Sequence, residues 1–158
     1  TTTAESSAAS DGYKRQPLTA IARSMARFGT GTGVDAELAT AAAVVRDAML
    51  AHPLMVGGPK RFDTDMMEMT SARLISKAGA EGMLIVSLPD EGVGFAISTL
   101  DGRDRGYRLL AIEILQHFGW ITATEAERII EAQCPRVIRN HAGREVGRMV
   151  STLPKILG

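Results

Sequence analysis

The stretch MLIVSLPDEGVGFAIST, residues 83–99, decides the expected fold. Its first six residues are a short apolar run, and the PDEG segment that follows is typical of a turn. Val93, Phe95 and Ile97 then alternate with small residues, as they do in a strand that has one buried face. The pattern therefore predicts a β-hairpin of two antiparallel strands.

Helices are predicted before the hairpin. Apolar residues recur every three or four positions over residues 17–28, and Pro17 suits a first helical turn. Asp35 can cap a second helix, which a His-Pro pair ends, and a short third helix is expected over residues 63–71. The side chains expected to face inward are Leu18, Ile21, Ala22, Met25 and Phe28 in the first helix, Leu38, Ala41, Ala42, Val45, Ala48 and Met49 in the second, and Met66, Met67 and Met69 in the third.

Two further helices are predicted after the hairpin. Leu110, Ile114 and Phe118 have the spacing of one buried helical face, and a glycine ends that helix. The last helix begins with a capping box, in which a threonine precedes a glutamate by three residues. The capping threonine is either Thr122 or Thr124.

The predicted sheet is small. Val146, Arg148 and Val150 alternate as a third strand, and three strands are few for a free-standing sheet in a chain of 158 residues. Either further strands escape the pattern, or the sheet packs against something outside this chain. The predicted fold class is α/β (α+β), an antiparallel sheet with flanking helices. Residues 1–10 are expected to form a flexible tail, and residues 11–158 a single domain.

Composition limits the classes of function. The chain of 158 residues, 45% of them apolar and 23% charged, is long enough for a single domain that buries about two-thirds of its unfolded surface. Eighteen Lys and Arg residues balance eighteen Asp and Glu residues, so neither nucleic acid nor an anionic membrane surface is an expected partner. The single cysteine, Cys134, permits no internal disulfide and no cysteine-rich zinc site, and a cytoplasmic location fits best.

The segment just before the hairpin contains the first candidate for chemistry. Lys77 is expected at the start of a strand, and Gly79 two positions later would let the backbone approach a ligand closely while the ammonium group points into a cleft. The alternative is an exposed lysine before a turn glycine. Glu81 has a similar alternative as a solvated turn carboxylate, and Asp11 as part of a turn in the tail.

The common motifs for metals, nucleotides and nucleophiles are missing from the sequence. No group of His, Cys, Asp or Glu has metal-ligand spacing, so no metal and no cofactor is expected. The glycine-rich residues 29–33 join two predicted helices without a preceding strand, which argues against nucleotide binding. No Ser-x-x-Lys pair occurs either.

Several phrases, in this order, resemble one known family. They are Asp11-Gly12, PLTAIARSMARF at residues 17–28, HPLMVGG at 52–58, RFDT at 61–64, KAGAEG at 77–82, Asp101-Gly102 with Arg105, and NHAGREVG at 140–147. Together they are similar to the type II L-asparaginase family, in its thermolabile, rhizobial-type group. The resemblance is to the C-terminal half of family members, which resemble serine β-lactamases and glutaminases in fold.

The resemblance implies an asparaginase-like amidohydrolase that converts L-asparagine to L-aspartate and ammonia through a serine/lysine acyl-transfer mechanism. In the family, the Ser-x-x-Lys pair and a second active-site serine lie in the N-terminal half, and the lysine that matches Lys77 partners the second serine. Lys77 also takes the place of the lysine in the Lys-Thr-Gly strand of penicillin-recognising enzymes. The aspartate that matches Asp11 lies in the substrate site, and Gly79, Ala80, Glu81 and Gly82 are the further substrate-binding candidates.

The chain differs from the family pattern at some positions and lacks the nucleophile motif, so other functions than asparaginase activity stay open. Tyr13 and Asp63 stand where rhizobial members have cysteines, so we expect no zinc site. The expected partners are a small amino-acid amide, an N-terminal half or partner chain, and a second copy in a homo-oligomer. Asparagine and glutamine both stay open as substrates. The chain is alternatively a non-catalytic interaction or structural module, and a minor third possibility makes Thr1 an N-terminal nucleophile.

Overall fold

A computed structural model of the protein describes residues 16–153. Within this range the chain forms an α+β fold, which confirms the predicted class. The expectations for the tail, Thr1, Asp11 and Tyr13 lie outside the described residues. The helices are α1 Leu18–Thr30, α2 Ala36–Ala51, α3 Pro53–Gly57, α4 Phe62–Met69, α5 Asp104–His117 and α6 Ala123–Gln133, and the strands are β1 Ile75–Ala78, β2 Met83–Leu88, β3 Val93–Ser98, β4 Val137–Arg139 and β5 Glu145–Arg148.

The strands of the described range form two antiparallel sheets. The larger has the order β1-β2-β3, and the smaller pairs β4 with β5. The predicted hairpin is confirmed, with Leu84 opposite Ile97 and Leu88 opposite Val93. The described range has two strands more than the three that the pattern identified, in agreement with the alternative that further strands escape it. Strands β1 and β4 have only four and three residues and show no clean alternation. The last strand ends at Arg148, short of the predicted Val150.

The core lies on one face of the larger sheet. Leu84, Val86 and Ile97 point from β2 and β3 toward α4, α5 and α6, and they belong to one cluster of buried apolar side chains. Met66 and Met67 of α4 are fully buried in this cluster, as predicted from their spacing. Burial of such side chains stabilises the fold by about 1.5–3 kcal/mol each.

Helix α1 covers the opposite face, where it lies against β3 and β2. The approach is close because β3 has a glycine at position 94. A Cβ atom there would lie 2.4 Å from the carbonyl oxygen of Ala22 and 2.4 Å from the backbone nitrogen of Ala26. Helix backbone cannot move aside as a flexible side chain can, so this helix–sheet contact requires glycine.

Two predicted apolar faces differ from those observed. Helix α2 begins as predicted, with Leu38 N donating to Asp35 Oδ1 at 2.8 Å, but it has no buried residue, and the Leu38 side chain is 53% exposed. In α5 the fully buried side chains include Ile112 and Leu115, while Phe118 is exposed and stacks on a tryptophan. Of the predicted face, Leu110 and Ile114 are partly buried and pack against the core, and only Phe118 lies outside it.

Hydrogen bonds at the start of α6 show which of the two predicted threonines caps this helix. Thr122, and not Thr124, caps α6: its hydroxyl accepts from the Glu125 N–H at 3.2 Å, and the Glu125 carboxylate accepts from the Thr122 N–H at 2.7 Å.

The length and polarity of the helices also bear on membrane crossing. Between residues 16 and 153, every helix is too short or too polar to cross a membrane.

Candidate functional site

A cleft of about 450 Å³ opens where the β1–β2 turn faces the first turns of α4 and α5. It is lined by residues 61–63, 78–82 and 102–104, together with Tyr107 and Arg108. These segments are distant in the sequence and meet because β1 runs beside α4, while the turn after β3 leads directly into α5. A cleft of this size can hold a small metabolite.

Lys77 lies beside this cleft. It is the third residue of β1, opposite Ile85, and not at the start of the strand as predicted. Its side chain is 47% exposed, and Nζ donates to the Ala78 carbonyl oxygen at 2.8 Å. Nζ also lies 3.8 Å from Asp63 Oδ2, on the wall of the cleft. Lys77 itself does not line the cleft, but its ammonium group contacts two residues that do, Asp63 and Ala78, and solvent still reaches it.

Asp63 links β1 to the first turn of α4. Its carboxylate is buried, and Oδ1 accepts from the Ser76 hydroxyl at 2.8 Å. Both carboxylate oxygens accept from the Ala78 N–H at 2.9 Å. Asp63 belongs to the RFDT phrase and begins a predicted helix, but it was not among the predicted site residues. Its position in the first turn of a predicted helix, where a carboxylate is favoured, was the available indication of a role.

The β1–β2 turn brings together the four predicted substrate-binding residues of the described range. Gly79 N donates to Met83 O at 2.8 Å, and Glu81 and Gly82 have positive φ angles of 58° and 68°. A Cβ atom on Gly82 would lie 1.8 Å from Thr99 Oγ1, so only glycine fits there. Glu81 is exposed and lines the cleft.

Three arginines line the cleft, and one of them is held firmly. Arg108 pairs with the Asp104 carboxylate, donates to Gln133 O at 3.1 Å, and has its guanidinium carbon 5.8 Å from the centre of the Phe62 ring. Arg61 and Arg103 are exposed, and among residues 16–153 no carboxylate lies within 4.0 Å of either guanidinium. These two arginines were not among the predicted site residues.

The loop that carries Arg103 is ordered by Asp101. The Arg103 N–H donates to Asp101 Oδ1 at 3.0 Å, and Arg105 donates to Oδ2 at 3.0 Å. The backbone hydrogen bond and then that of Arg105 lower the pKa of Asp101, so this carboxylate is ionised at neutral pH. The Asp101-Gly102 phrase therefore shapes one rim of the cleft.

Tyr107 forms the floor of the cleft together with Phe62. The two rings meet edge to face with centroids 5.9 Å apart, and Tyr107 is only 4% exposed. Burial is the main cause that raises the pKa of Tyr107 above its usual value of 10.0. At neutral pH the phenol therefore keeps its proton and can only act as a neutral hydrogen-bonding group.

Metal binding has no support in the described part of the chain. Among residues 16–153, no three His, Cys, Asp or Glu side chains lie close enough together to hold a metal ion. The expectation of no metal and no cofactor stays a prediction.

Comparison with known proteins defines the class. A family model described as L-asparaginase II matches residues 12–151, which include every helix, every strand and the cleft of the described range. The chain belongs to the L-asparaginase II family, as its sequence phrases indicated. Family membership supports an asparaginase-like hydrolase function in general. No curated protein matches the chain.

Proposed function

We propose that this chain forms the Lys77 side of the active site of an asparaginase-like amidohydrolase, whose substrate is L-asparagine. Family membership supports the class of reaction. The single observation that carries the proposal is the position of Lys77, beside a cleft whose wall is the predicted substrate-binding segment, residues 79–82. Asp11, in the same family site, lies outside the described residues.

The proposed reaction is acyl transfer in two steps. The oxygen of an active-site serine bonds to the side-chain amide carbon of asparagine, the C–N bond breaks, and ammonia leaves with the proton of the serine. Water then hydrolyses the serine ester, which releases L-aspartate and regenerates the serine. The family resemblance assigns the serines to sequence outside this chain, and Lys77 accepts or returns the proton of one of them.

The contacts around Lys77 suit this role. Because Nζ is held by the Ala78 carbonyl group and lies near Asp63, its position is defined, while its partial exposure leaves room for a serine hydroxyl from another segment. Ala80 lines the cleft, and its backbone N–H has no acceptor among residues 16–153. Such a free N–H group is suited to stabilise the oxyanion of a tetrahedral intermediate.

Two measurements test the proposal. The isolated 158-residue chain should release no ammonia from L-asparagine, because the nucleophile pair is not in it. In a complete enzyme that contains this chain, Lys77→Ala should abolish turnover while changing the free energy of unfolding by no more than about 0.5 kcal/mol. The matched control is Arg128→Ala, which removes an exposed cation on α6 away from the cleft. Robust ammonia release by the chain alone, or full turnover by the Lys77 variant, would contradict the proposal.

One observation favours the alternative of a non-catalytic interaction module. In the described range, β3 pairs on one side only, and its six residues, VGFAIS, include no Lys or Pro and no bulge, which commonly protect such edges. A second copy of the chain could extend the sheet there. Size-exclusion chromatography with light scattering tests this reading: a stable dimer supports it, and a monomer across the micromolar range counts against it.

A further inference from the structure

We infer that the cleft binds the α-carboxylate of an amino acid through Arg61 and Arg103, with the Tyr107 hydroxyl as a third, neutral donor. The inference rests on the proposed function, since it names the groups that would recognise the amino-acid part of its substrate. The groups that carry it, Arg61, Arg103 and Tyr107, are different from Lys77, and the inference can therefore fail independently.

The charge balance of the cleft leaves these two arginines without a protein anion. Three acidic residues line the cleft. Asp63 is occupied by Ser76 and the β1 backbone, Asp104 is paired with Arg108, and Glu81 has no arginine or lysine within 4.0 Å among residues 16–153. In the part of the chain that the structure describes, the Arg61 and Arg103 guanidinium groups have neither a hydrogen bond nor an ion pair. A guanidinium group presents donors in a planar fork that matches a carboxylate, so an incoming carboxylate supplies the missing anion.

The two arginines reach the cleft from two different elements. Arg61 lies immediately before α4 and Arg103 immediately before α5, and both positions line the cleft. Because each arginine is anchored at the start of a helix, their backbones are fixed relative to each other by the packed core. A carboxylate between them is contacted from two sides, which gives orientation as well as charge neutralisation.

Tyr107 adds a donor at the floor of the cleft. The ring is more than nine-tenths buried, the residue lines the cleft beside Arg108, and among residues 16–153 the structure records no acceptor for its O–H. A carboxylate accepts hydrogen bonds and donates none, so it satisfies both the phenol and the guanidinium groups. An ammonium group in the same position would leave all three donors unsatisfied.

Glu81 distinguishes an amino acid from a simple anion. Glu81 lines the cleft from the β1–β2 turn, and no cation in the range 16–153 lies within 4.0 Å of its carboxylate. An α-ammonium group would complement Glu81 while the α-carboxylate lies between the arginines. The cleft therefore presents both charges that a zwitterion requires, and the remaining volume is available for a short side chain.

Isothermal titration calorimetry on the full chain tests this assignment with two probes, L-asparagine and L-asparagine methyl ester, which lacks the carboxylate charge. We expect the unaltered chain to bind L-asparagine at least tenfold more tightly than the ester. Arg61→Gln and Arg103→Gln should each weaken L-asparagine binding at least tenfold and leave ester binding unchanged. Tyr107→Phe should weaken L-asparagine binding severalfold. Arg128→Gln, an exposed arginine of α6 outside the cleft, should stay within twofold of the unaltered chain.

The contrary outcomes separate this inference from the proposed function. Equal binding of both probes, unchanged binding by both arginine variants, or no binding by the unaltered chain would overturn the carboxylate assignment, because the site is built from this chain alone. Binding of inorganic phosphate as tightly as L-asparagine would overturn the amino-acid class. None of these results bears on the loss of turnover expected for Lys77→Ala, which tests the proposed function by itself. Far-UV circular dichroism of each variant verifies that the fold is retained.

Discussion

Two long helices of this protein, α2 and α5, have different environments although both are rich in apolar residues. Helix α5, with 14 residues, has five buried side chains, and α2, with 16 residues, has none. The buried residues of α5 are Tyr107, Leu109, Ala111, Ile112 and Leu115. In α5 the charged residues restrict burial to one side, whereas the alanine-rich α2 has few charges to define a face. Apolar content alone therefore does not show which helix forms the core.

Helix α2 is attached to the rest of the molecule by a few contacts. The Arg46 guanidinium donates to the Gly29 carbonyl oxygen of α1 at 2.8 Å, and Met49 and Leu50 pack partly against the core. Helices with few buried contacts open locally at lower free energy than core elements. The comparison predicts that α2 and α5 differ in their contribution to global stability, and the following substitutions test this.

The largest effect is expected from truncation of the core. Ile112→Ala should lower the free energy of unfolding by about 2–5 kcal/mol, because Ile112 is fully buried and the cavity left behind loses its contacts. Val44→Ala on α2 removes a side chain that is 67% exposed and should change stability by no more than about 0.5 kcal/mol. Urea unfolding measures both. Comparable losses at the two positions would contradict the difference between the helices.

The same contrast explains what the sequence could predict of the fold. The hairpin was predictable because an apolar run and a run of alternating apolar and small residues lie on either side of a turn sequence. Strand β1 was not, since its four residues include two buried ones followed by Lys77 and Ala78, and its end is fixed by Asp63 from a distant helix. The exposure of α2 also depends on tertiary packing, which periodicity does not contain.

Prediction of the candidate site was limited in the same way. Residues 79–82 line the cleft together because they are one short turn, which the local sequence specifies. Arg61, Arg103 and Tyr107 come from two helices that are far apart in the sequence, and only the packing of α4 and α5 against the sheet brings them together. Their roles required the three-dimensional structure.

The next largest loss of stability is expected where α1 packs closely on Gly94 of β3. Gly94→Ala should lower the free energy of unfolding by about 1–3 kcal/mol, because the new methyl group would overlap backbone atoms of Ala22 and Ala26. Gly147→Ala is the control, since a Cβ atom there lies 3.9 Å from its nearest neighbour. Thermal unfolding of both variants gives the comparison. A neutral Gly94→Ala result would show that α1 is held as loosely as α2.

A smaller effect separates the two helix caps. Thr122→Ala removes the capping box of α6, a helix with buried residues, and should cost about 1 kcal/mol of global stability. Asp35→Ala removes the matching cap of α2. If α2 opens locally, this change should mainly accelerate hydrogen exchange of the α2 amides and leave the global unfolding midpoint nearly unchanged. An equal shift of the midpoint in both variants would mean that α2 unfolds together with the core.

The last prediction concerns Cys134, which directly follows α6. Its effect on stability is the smallest at neutral pH and appears only at alkaline pH. Burial raises the pKa of this thiol from its ordinary value of 9.0 to about 11. The folded chain therefore keeps the thiol proton to higher pH than the unfolded chain does. The resulting contribution to stability is complete below pH 9 and is lost as the pH rises toward 11, because the unfolded state then releases the proton first. Below pH 9 the folded thiol should react slowly with a disulfide reagent, since the thiolate is the reactive form.

Urea unfolding at pH 7, 8.5 and 10 measures the free energy of unfolding at each pH. The contribution of the thiol is obtained after the pH dependence that comes from all other titrating groups is subtracted. Cys134→Ala serves for that subtraction, because it retains every other titrating residue and lacks the thiol. The double variant Cys134→Ala with Val44→Cys moves the thiol to the exposed α2, where we expect rapid labelling and no additional loss of stability between pH 8.5 and 10 relative to Cys134→Ala. Slow labelling at position 44 would mean that α2 is covered in solution, and the contrast between α2 and the core helices would then have to be abandoned.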